Sequence, residues 1–113
     1  MRKDNEQIVI VKGAIPKTLK LQFKVICVKQ ELNMSEVLEQ LIRQWIQLNA
    51  PIHKLPVDLA NEEYEDVKGY IPKALKIQFK YTCTQKCVMI RSILYLLVKQ
   101  WVEMQTSSAN EAR

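Results

Sequence analysis

The chain has 113 residues, of which 48% are hydrophobic, and its formal net charge is +5 at pH 7. This length accommodates one domain at most, and three cysteines with a single histidine exclude a disulfide framework or a Cys/His metal cluster. No apolar run is long enough for a signal peptide or a membrane span, so we expect a cytoplasmic protein with reduced thiols and no membrane partner.

The excess of basic residues favours a polyanionic partner. Lysine and arginine minus aspartate and glutamate give 9 − 5 = +4 for residues 1–56 and 8 − 7 = +1 for residues 57–113. The difference comes mainly from an acidic run, Asp58, Glu62, Glu63, Glu65 and Asp66. We therefore expect the two halves of the chain to present different potentials.

A long stretch of the sequence occurs twice, with a constant offset of 56 residues. Residues 11–24 recur as residues 67–80, and the match continues without a gap to Trp45 and Trp101. Between residues 11 and 49, 16 of 39 aligned pairs are identical. Residues 8–49 are copy one, and residues 64–105 are copy two. Each copy, at about 45 residues, is near the lower limit for an independent core, so we expect the two copies to depend on each other.

The first part of copy one has the pattern of a strand followed by a helix. Residues 1–7 are polar and expected to be flexible. Residues 8–15 alternate between two faces, as a β-strand does. Pro16 ends the strand and suits the first turn of a helix, which the apolar spacing predicts to about Leu32.

A second helix follows at once. Asn33 is a suitable N-cap, and Glu36 is placed to complete a capping box. The apolar residues then repeat at spacings of three and four, so this helix is predicted to be the main core element, ending near Asn49. Residues 50–63 contain two prolines and no clear period, which is typical of a linker.

Copy two repeats this order. The predicted elements are a strand over residues 64–71, a helix over 72–87, a helix over 89–105 and a flexible tail over 106–113. Met89 replaces the capping Asn33, so the second capping box is lost.

Each copy carries one strand, which by itself would leave both of its edges unpaired. The two strands are therefore predicted to pair antiparallel within the chain, with four helices on one face of the resulting ribbon. This arrangement would bury Val9, Val11, Ile15, Val67 and Ile71. The linker is long enough to allow it, since about 14 residues span up to ~45 Å when extended.

The order strand, Pro16, basic amphipathic helix, turn and residues 33–45 (NMSEVLEQLIRQW) resembles the ribbon-helix-helix superfamily of Arc/MetJ-type DNA-binding regulators. The resemblance covers about residues 8–105 and occurs twice. It implies a mostly α fold with a two-stranded antiparallel β-ribbon, in the order β-α-α-β-α-α. One chain would then supply both halves of what is usually a dimer, as a single pseudodimeric domain.

The resemblance also implies where DNA would be bound. Outward side chains of the ribbon would enter the major groove, and the start of each second helix would hold a phosphate. The implied base-contacting residues are Ile10, Lys12, Ala14, Asp66, Lys68 and Tyr70. The implied phosphate-contacting residues are Asn33, Met34, Ser35, Ile90 and Arg91. Physical chemistry is consistent with both, because a ribbon fits the major groove and helix N-termini bind anions.

These patterns predict a sequence-specific double-stranded DNA-binding protein without cofactor or metal. The resemblance suggests a prokaryotic repressor of a mobile element, phage or plasmid, or a plasmid maintenance or transfer factor. Because Ile10 and Ala14 differ from Asp66 and Tyr70, we expect an asymmetric DNA site. The alternative is a protein-interaction module, antitoxin-like or an anti-repressor scaffold, that has lost DNA binding. No catalytic constellation is visible, so an enzyme is not expected.

Two further features of the sequence lead to expectations about packing and about contacts between chains. Gly13 and Gly69 occupy inward ribbon positions and indicate a bulge or a close approach of a helix. Tyr95 and Leu96 replace two polar residues of copy one and are candidate contacts between two chains bound to adjacent half-sites.

Overall fold

The structure is a computed structural model, in which residues 7–57 and 61–111 are described, with side chains as far as Ser107. The elements in chain order are β1 (Ile8–Pro16), α1 (Lys17–Lys29), α2 (Met34–Gln47), β2 (Tyr64–Pro72), α3 (Lys73–Gln85) and α4 (Ile90–Glu111). The fold is mostly helical with one two-stranded antiparallel ribbon, as the sequence predicts.

The ribbon forms within the chain by pairing of β1 with β2. The register is continuous from Ile8 opposite Pro72 to Pro16 opposite Tyr64. Its central pair is Lys12 opposite Lys68, which are equivalent positions of the sequence repeat. The predicted intrachain antiparallel pairing is therefore confirmed.

Backbone hydrogen bonds extend the ribbon by one residue at each end. The N–H of Lys17 donates to the carbonyl of Glu63, and the N–H of Lys73 donates to that of Gln7, both at 2.8 Å. Each bond ties the start of one copy's first helix to the other copy's strand.

The inner face of the ribbon packs on the helices. Val11, Ile15, Val67 and Ile71 are buried, as predicted. Val9, which we expected to be buried with them, is only half-buried. It lies one residue from the start of β1, opposite the fully buried Ile71.

Gly13 and Gly69 allow the second helix of each copy to approach the ribbon closely. A Cβ on Gly69 would lie 2.8 Å from Leu38 Cδ1 of α2, and one on Gly13 would lie 3.1 Å from Leu94 Cδ1 of α4. The register passes both glycines without an extra residue. The close approach, and not a bulge, therefore explains these glycines.

Helices of the two copies pack against each other in the core. The Phe23 ring of α1 contacts the Trp101 ring of α4, and the Trp45 ring of α2 contacts the Phe79 ring of α3, both edge to face. Each tryptophan thus packs on the phenylalanine of the other copy, so the copies share one core.

Two helix ends differ from the predictions. α1 stops at Lys29, before Leu32, because Glu31 takes a left-handed conformation (φ 56°) and the N–H of Leu32 donates to the carbonyl of Cys27. α4 continues past Gln105 to Glu111. The tail predicted to be flexible is thus helical as far as Glu111, since no glycine or proline interrupts it. The predicted flexible residues 1–6 and 112–113 lie outside the described residues.

The described part of the linker is packed against the helices. Ala50 is buried, and the Trp45 indole N–H donates to the carbonyl of Pro51 at 3.1 Å. Residues 54–57 lie beside Tyr95 and Leu96 and line a groove with them.

Tyr95 and Leu96 are consequently only 6% exposed each. The expectation that they contact a second chain is therefore wrong, because the linker and the chain's own core cover these side chains. The sequence pattern marked them as apolar but did not reveal what covers them.

Candidate nucleic-acid interface

The outer face of the ribbon carries the six side chains predicted to contact bases. They form three cross-strand pairs, Ile10 with Tyr70, Lys12 with Lys68 and Ala14 with Asp66. Tyr70 is 60% exposed and Ile10 is 37% exposed. Lys12, Lys68 and Asp66 are exposed, and Ala14 is half-buried. The alternation of β-strands places all six on one side because their positions differ by two residues.

The centre of this face is basic. Lys12 and Lys68 lie directly opposite each other, an arrangement of like charges that is unfavourable in a ribbon by itself. Asp66 reduces the repulsion, because its carboxylate lies 3.5 Å from Lys12 Nζ. The face therefore presents two ammonium groups, of which Lys12 has a carboxylate partner.

The start of α2 is anchored to β2 by one side chain. Ser35 Oγ accepts a hydrogen bond at 2.9 Å from the N–H of Tyr70. The Asn33 side chain caps the helix, since its Oδ1 accepts from the N–H of Ser35 at 2.8 Å and from that of Glu36 at 3.4 Å. The N-cap predicted at Asn33 is confirmed, and the Ser35 bond places the start of α2 at the edge of β2, with Met34 half-buried. Among the hydrogen bonds of the described residues, none from the N–H of Asn33 to the Glu36 side chain completes the predicted capping box.

The start of α4 occupies the equivalent place beside β1. The Cα of Arg91 lies 3.5 Å from the position that a Cβ on Gly13 would take. The Met89 carbonyl accepts from the N–H groups of Ser92 and Ile93, both at 3.1 Å. Arg91 is exposed and Ile90 is half-buried. Met89 offers no side-chain oxygen, so the backbone N–H groups at this end are less occupied than those of α2.

The arrangement has the dimensions of a major-groove reader. Paired strands are about 4.8 Å apart, and the major groove is about 12 Å wide, so a two-stranded ribbon with its side chains can enter it. The predicted phosphate-contacting residues lie at helix N-termini on both sides of that ribbon. Backbone N–H groups and the helix dipole at such ends attract anions.

Sequence reasoning missed three contacts of this region. The Ser35 bond to the ribbon backbone joins residues 35 positions apart, which no local pattern reveals. The acidic run was visible, but its partners in copy one were not. Lys17 Nζ lies 3.8 Å from the Glu63 carboxylate, and Lys20 Nζ lies 3.7 Å from that of Glu65.

Two of the three thiols are buried in the core. Cys27 and Cys83 are buried and Cys87 is exposed. Burial raises the pKa of Cys27 and raises that of Cys83 to about 11, so neither thiol ionises readily. In the part of the chain that the structure describes, no three His, Cys, Asp or Glu side chains form a group that could hold a metal ion.

Residues 15–64 match the model of a protein family described as "Ribbon-helix-helix protein". The match runs from the end of β1, through α1, α2 and the linker, to the first residue of β2. The match covers 50 of the 113 residues, so over residues 15–64 the chain is similar to the ribbon-helix-helix family. Members of that family generally bind DNA as transcription regulators and are generally not enzymes.

The comparison with curated proteins and the comparison with solved structures gave no match. Among the described residues, no helix combines the length and the apolar character needed to cross a membrane.

Proposed function

We propose that the chain is a single-chain pseudodimer that binds double-stranded DNA by inserting its β-ribbon into the major groove. In this proposal the two copies correspond to the two subunits of a ribbon-helix-helix dimer, related by a pseudo-twofold axis between Lys12 and Lys68. The supporting observation is the exposed outer face of the ribbon, flanked on both sides by helix N-termini.

Each outer pair has its own recognition chemistry. The ammonium groups of Lys12 and Lys68 can donate to guanine O6 and N7, and Asp66 can accept from the cytosine amino group. Ile10 and Tyr70 form an apolar pair at one end, suited to thymine methyl groups. Because the end pairs differ, the preferred site is asymmetric, and a palindromic optimum in a selection experiment would contradict this.

The phosphate contacts are assigned to the helix starts, with different chemistry on the two sides. At α2 the Asn33 side chain already accepts from two N–H groups, leaving that of Met34 and the Ser35 hydroxyl to face the DNA. At α4 a phosphate can accept from the N–H groups of Ile90 and Arg91 and from the Arg91 guanidinium. Backbone phosphate contacts of this kind fix the register of a protein on DNA.

The biological role proposed is that of a transcriptional repressor of a mobile element, phage or plasmid, or of a plasmid maintenance or transfer factor. A second candidate is a protein-interaction module, antitoxin-like or an anti-repressor scaffold. It is favoured by one observation, the exposed apolar pair of Ile10 and Tyr70 on the ribbon face.

The test compares two double variants that remove the same charge. K12A/K68A removes the central ribbon lysines, and K24A/K80A removes two exposed lysines at equivalent positions of α1 and α3. A duplex selected by the wild-type protein from a random pool serves as the probe, with fluorescence anisotropy as the readout.

Base reading by the ribbon predicts that K12A/K68A weakens binding by about 1 to 3 kcal/mol per lost base contact and reduces the preference for the selected sequence. K24A/K80A should weaken binding to selected and unrelated duplexes equally. Absence of a selected sequence, or equal effects of the two variants, would contradict the proposed function.

A further inference from the structure

Equivalent lysines of the two copies have different electrostatic surroundings. In copy one, three lysines have carboxylate partners from residues 63–66, at the start of β2 and just before it: Lys12 with Asp66 at 3.5 Å, Lys17 with Glu63 at 3.8 Å and Lys20 with Glu65 at 3.7 Å. In α1, which carries Lys17 and Lys20, the Thr18 hydroxyl donates to the Glu62 carboxylate.

The equivalent lysines of copy two lack such partners. Lys68, Lys73 and Lys76 face the positions equivalent to the acidic ones, which are held by Gln7, Val9 and Ile10. Within residues 7–57 and 61–107, none of these three lysines has a carboxylate oxygen within 4.0 Å.

The two ends of the ribbon therefore differ in charge. At the acidic end, residues 63–66 carry three negative charges against two positive charges of Lys17 and Lys20, which gives 2 − 3 = −1. At the basic end, residues 7–10 are uncharged beside Lys73 and Lys76, which gives +2. The two sums are comparable, because the positions counted at one end are equivalent in the sequence repeat to those counted at the other.

The difference in charge between the two ends of the ribbon affects the binding of a polyanion more than it affects the folding stability of the protein. An exposed ion pair contributes little to folding, but its two charges nearly cancel each other at a distance. A lysine without a partner attracts phosphate over the Debye length of about 8 Å at physiological salt. The basic end should thus supply most of the attraction to the DNA backbone.

We propose that Glu63 and Glu65 limit the sequence-independent attraction of the protein to the DNA backbone. By neutralising Lys17 and Lys20, they leave the basic end as the main phosphate-binding end. The same neutralisation lowers the affinity for unrelated DNA. This inference rests on the proposed function and adds residues that tune the affinity for phosphate.

The sequence repeat supplies a matched pair of variants. E63Q/E65V places the residues of the basic end at positions 63 and 65, and Q7E/V9E places the residues of the acidic end at positions 7 and 9. Neither variant alters the six outer side chains of the ribbon. Glu63 is 83% exposed as a side chain, so E63Q alone serves as a third variant with little effect on folding. Circular dichroism checks the fold of each variant.

The first measurement is the salt dependence of binding to a duplex selected by the wild-type protein and to an unrelated duplex. Each phosphate contact contributes about 0.9 to the slope of log K against log salt concentration. E63Q/E65V should steepen the slope by up to about 2 and tighten binding to the unrelated duplex, because two lysines are released. Q7E/V9E should reduce the slope by a similar amount.

The second measurement is the association rate constant for the unrelated duplex at low and high salt. E63Q/E65V should raise this rate constant and Q7E/V9E should lower it, because net charge steers the encounter with a polyanion. Both effects should shrink as the salt concentration rises.

The outcomes separate the two proposals. Selective binding by the wild type, with unchanged slopes and unchanged association rates in both double variants, would overturn the role of Glu63 and Glu65 and leave DNA binding intact. Failure of the wild type to select any duplex would overturn both proposals.

Discussion

Phe23 of α1 and Trp101 of α4 meet edge to face, with ring centroids 5.5 Å apart and an interplanar angle of 89°. Trp45 and Phe79 repeat this contact at 5.7 Å and 90°. Edge-to-face pairs contribute about 0.5–1.5 kcal/mol beyond their buried area. Since each contact joins the two copies, neither copy has a complete core of its own.

The aromatic contacts predict cooperative unfolding of the whole chain. Phe23 and Phe79 are fully buried, so F23A and F79A should each reduce the free energy of unfolding by about 3–5 kcal/mol. Because each phenylalanine packs on the other copy, each variant should still unfold in a single transition. Urea titrations followed by circular dichroism and by tryptophan fluorescence test this, and separate midpoints for the two signals would contradict a shared core.

The two ribbon glycines predict different costs for the same substitution. G69A should reduce the free energy of unfolding by about 1–3 kcal/mol, because the new Cβ would lie 2.8 Å from a methyl group of the buried Leu38. G13A should cost less, because the corresponding distance to Leu94 is 3.1 Å. Urea midpoints of the two variants provide the comparison, and a larger loss for G13A would contradict the packing described for α2 and α4.

Substitutions at the N-caps of α2 and α4 are expected to change the free energy of unfolding in opposite directions. N33A should reduce the free energy of unfolding by about 0.5–2 kcal/mol, because it removes the oxygen that accepts from two N–H groups of α2. M89N should stabilise the protein, because it introduces such an oxygen at the start of α4. M89A controls for loss of the methionine itself. Thermal or urea unfolding measures all three, and equal stabilities of M89N and M89A would contradict the prediction.

The buried thiols predict a pH dependence of stability. The pKa of Cys83 is raised from 9.0 to about 11 by burial, so the folded state keeps this proton at pH values where the unfolded state loses it. The contribution of this thiol is therefore fully present below pH 9 and is lost as the pH rises towards 11. Urea midpoints should fall more steeply over that range for the wild type than for C83A, and equal slopes would contradict the prediction.

The same burial predicts selective alkylation. Under native conditions iodoacetamide should modify Cys87 rapidly and Cys27 and Cys83 slowly, because the latter two are about 2% exposed and hold their protons. In urea all three should react. Mass spectrometry of the native protein would refute this if it found equal rates at the three sites.

The sequence by itself determined the elements of the fold. The repeat, the alternation in residues 8–15, Pro16 and the capping Asn33 are local signals. Each predicted strand and helix is present, although α1 ends before Leu32 and α4 extends past Gln105. The pairing of β1 with β2 also followed, because a single strand in each copy leaves backbone groups that only the other copy can satisfy. The six outward ribbon residues then followed from the period of two.

Only the tertiary structure decided which side chains meet across the chain. The sums along the sequence assigned more positive charge to residues 1–56. The acidic residues at the start of copy two and just before it nevertheless lie beside the lysines of copy one, as Glu65 does beside Lys20 and Glu63 beside Lys17. Likewise, apolar Tyr95 and Leu96 are covered by the linker and are not exposed. Periodicity specifies the face of an element on which a residue lies, whereas partners more than 40 residues apart are set by how the elements pack.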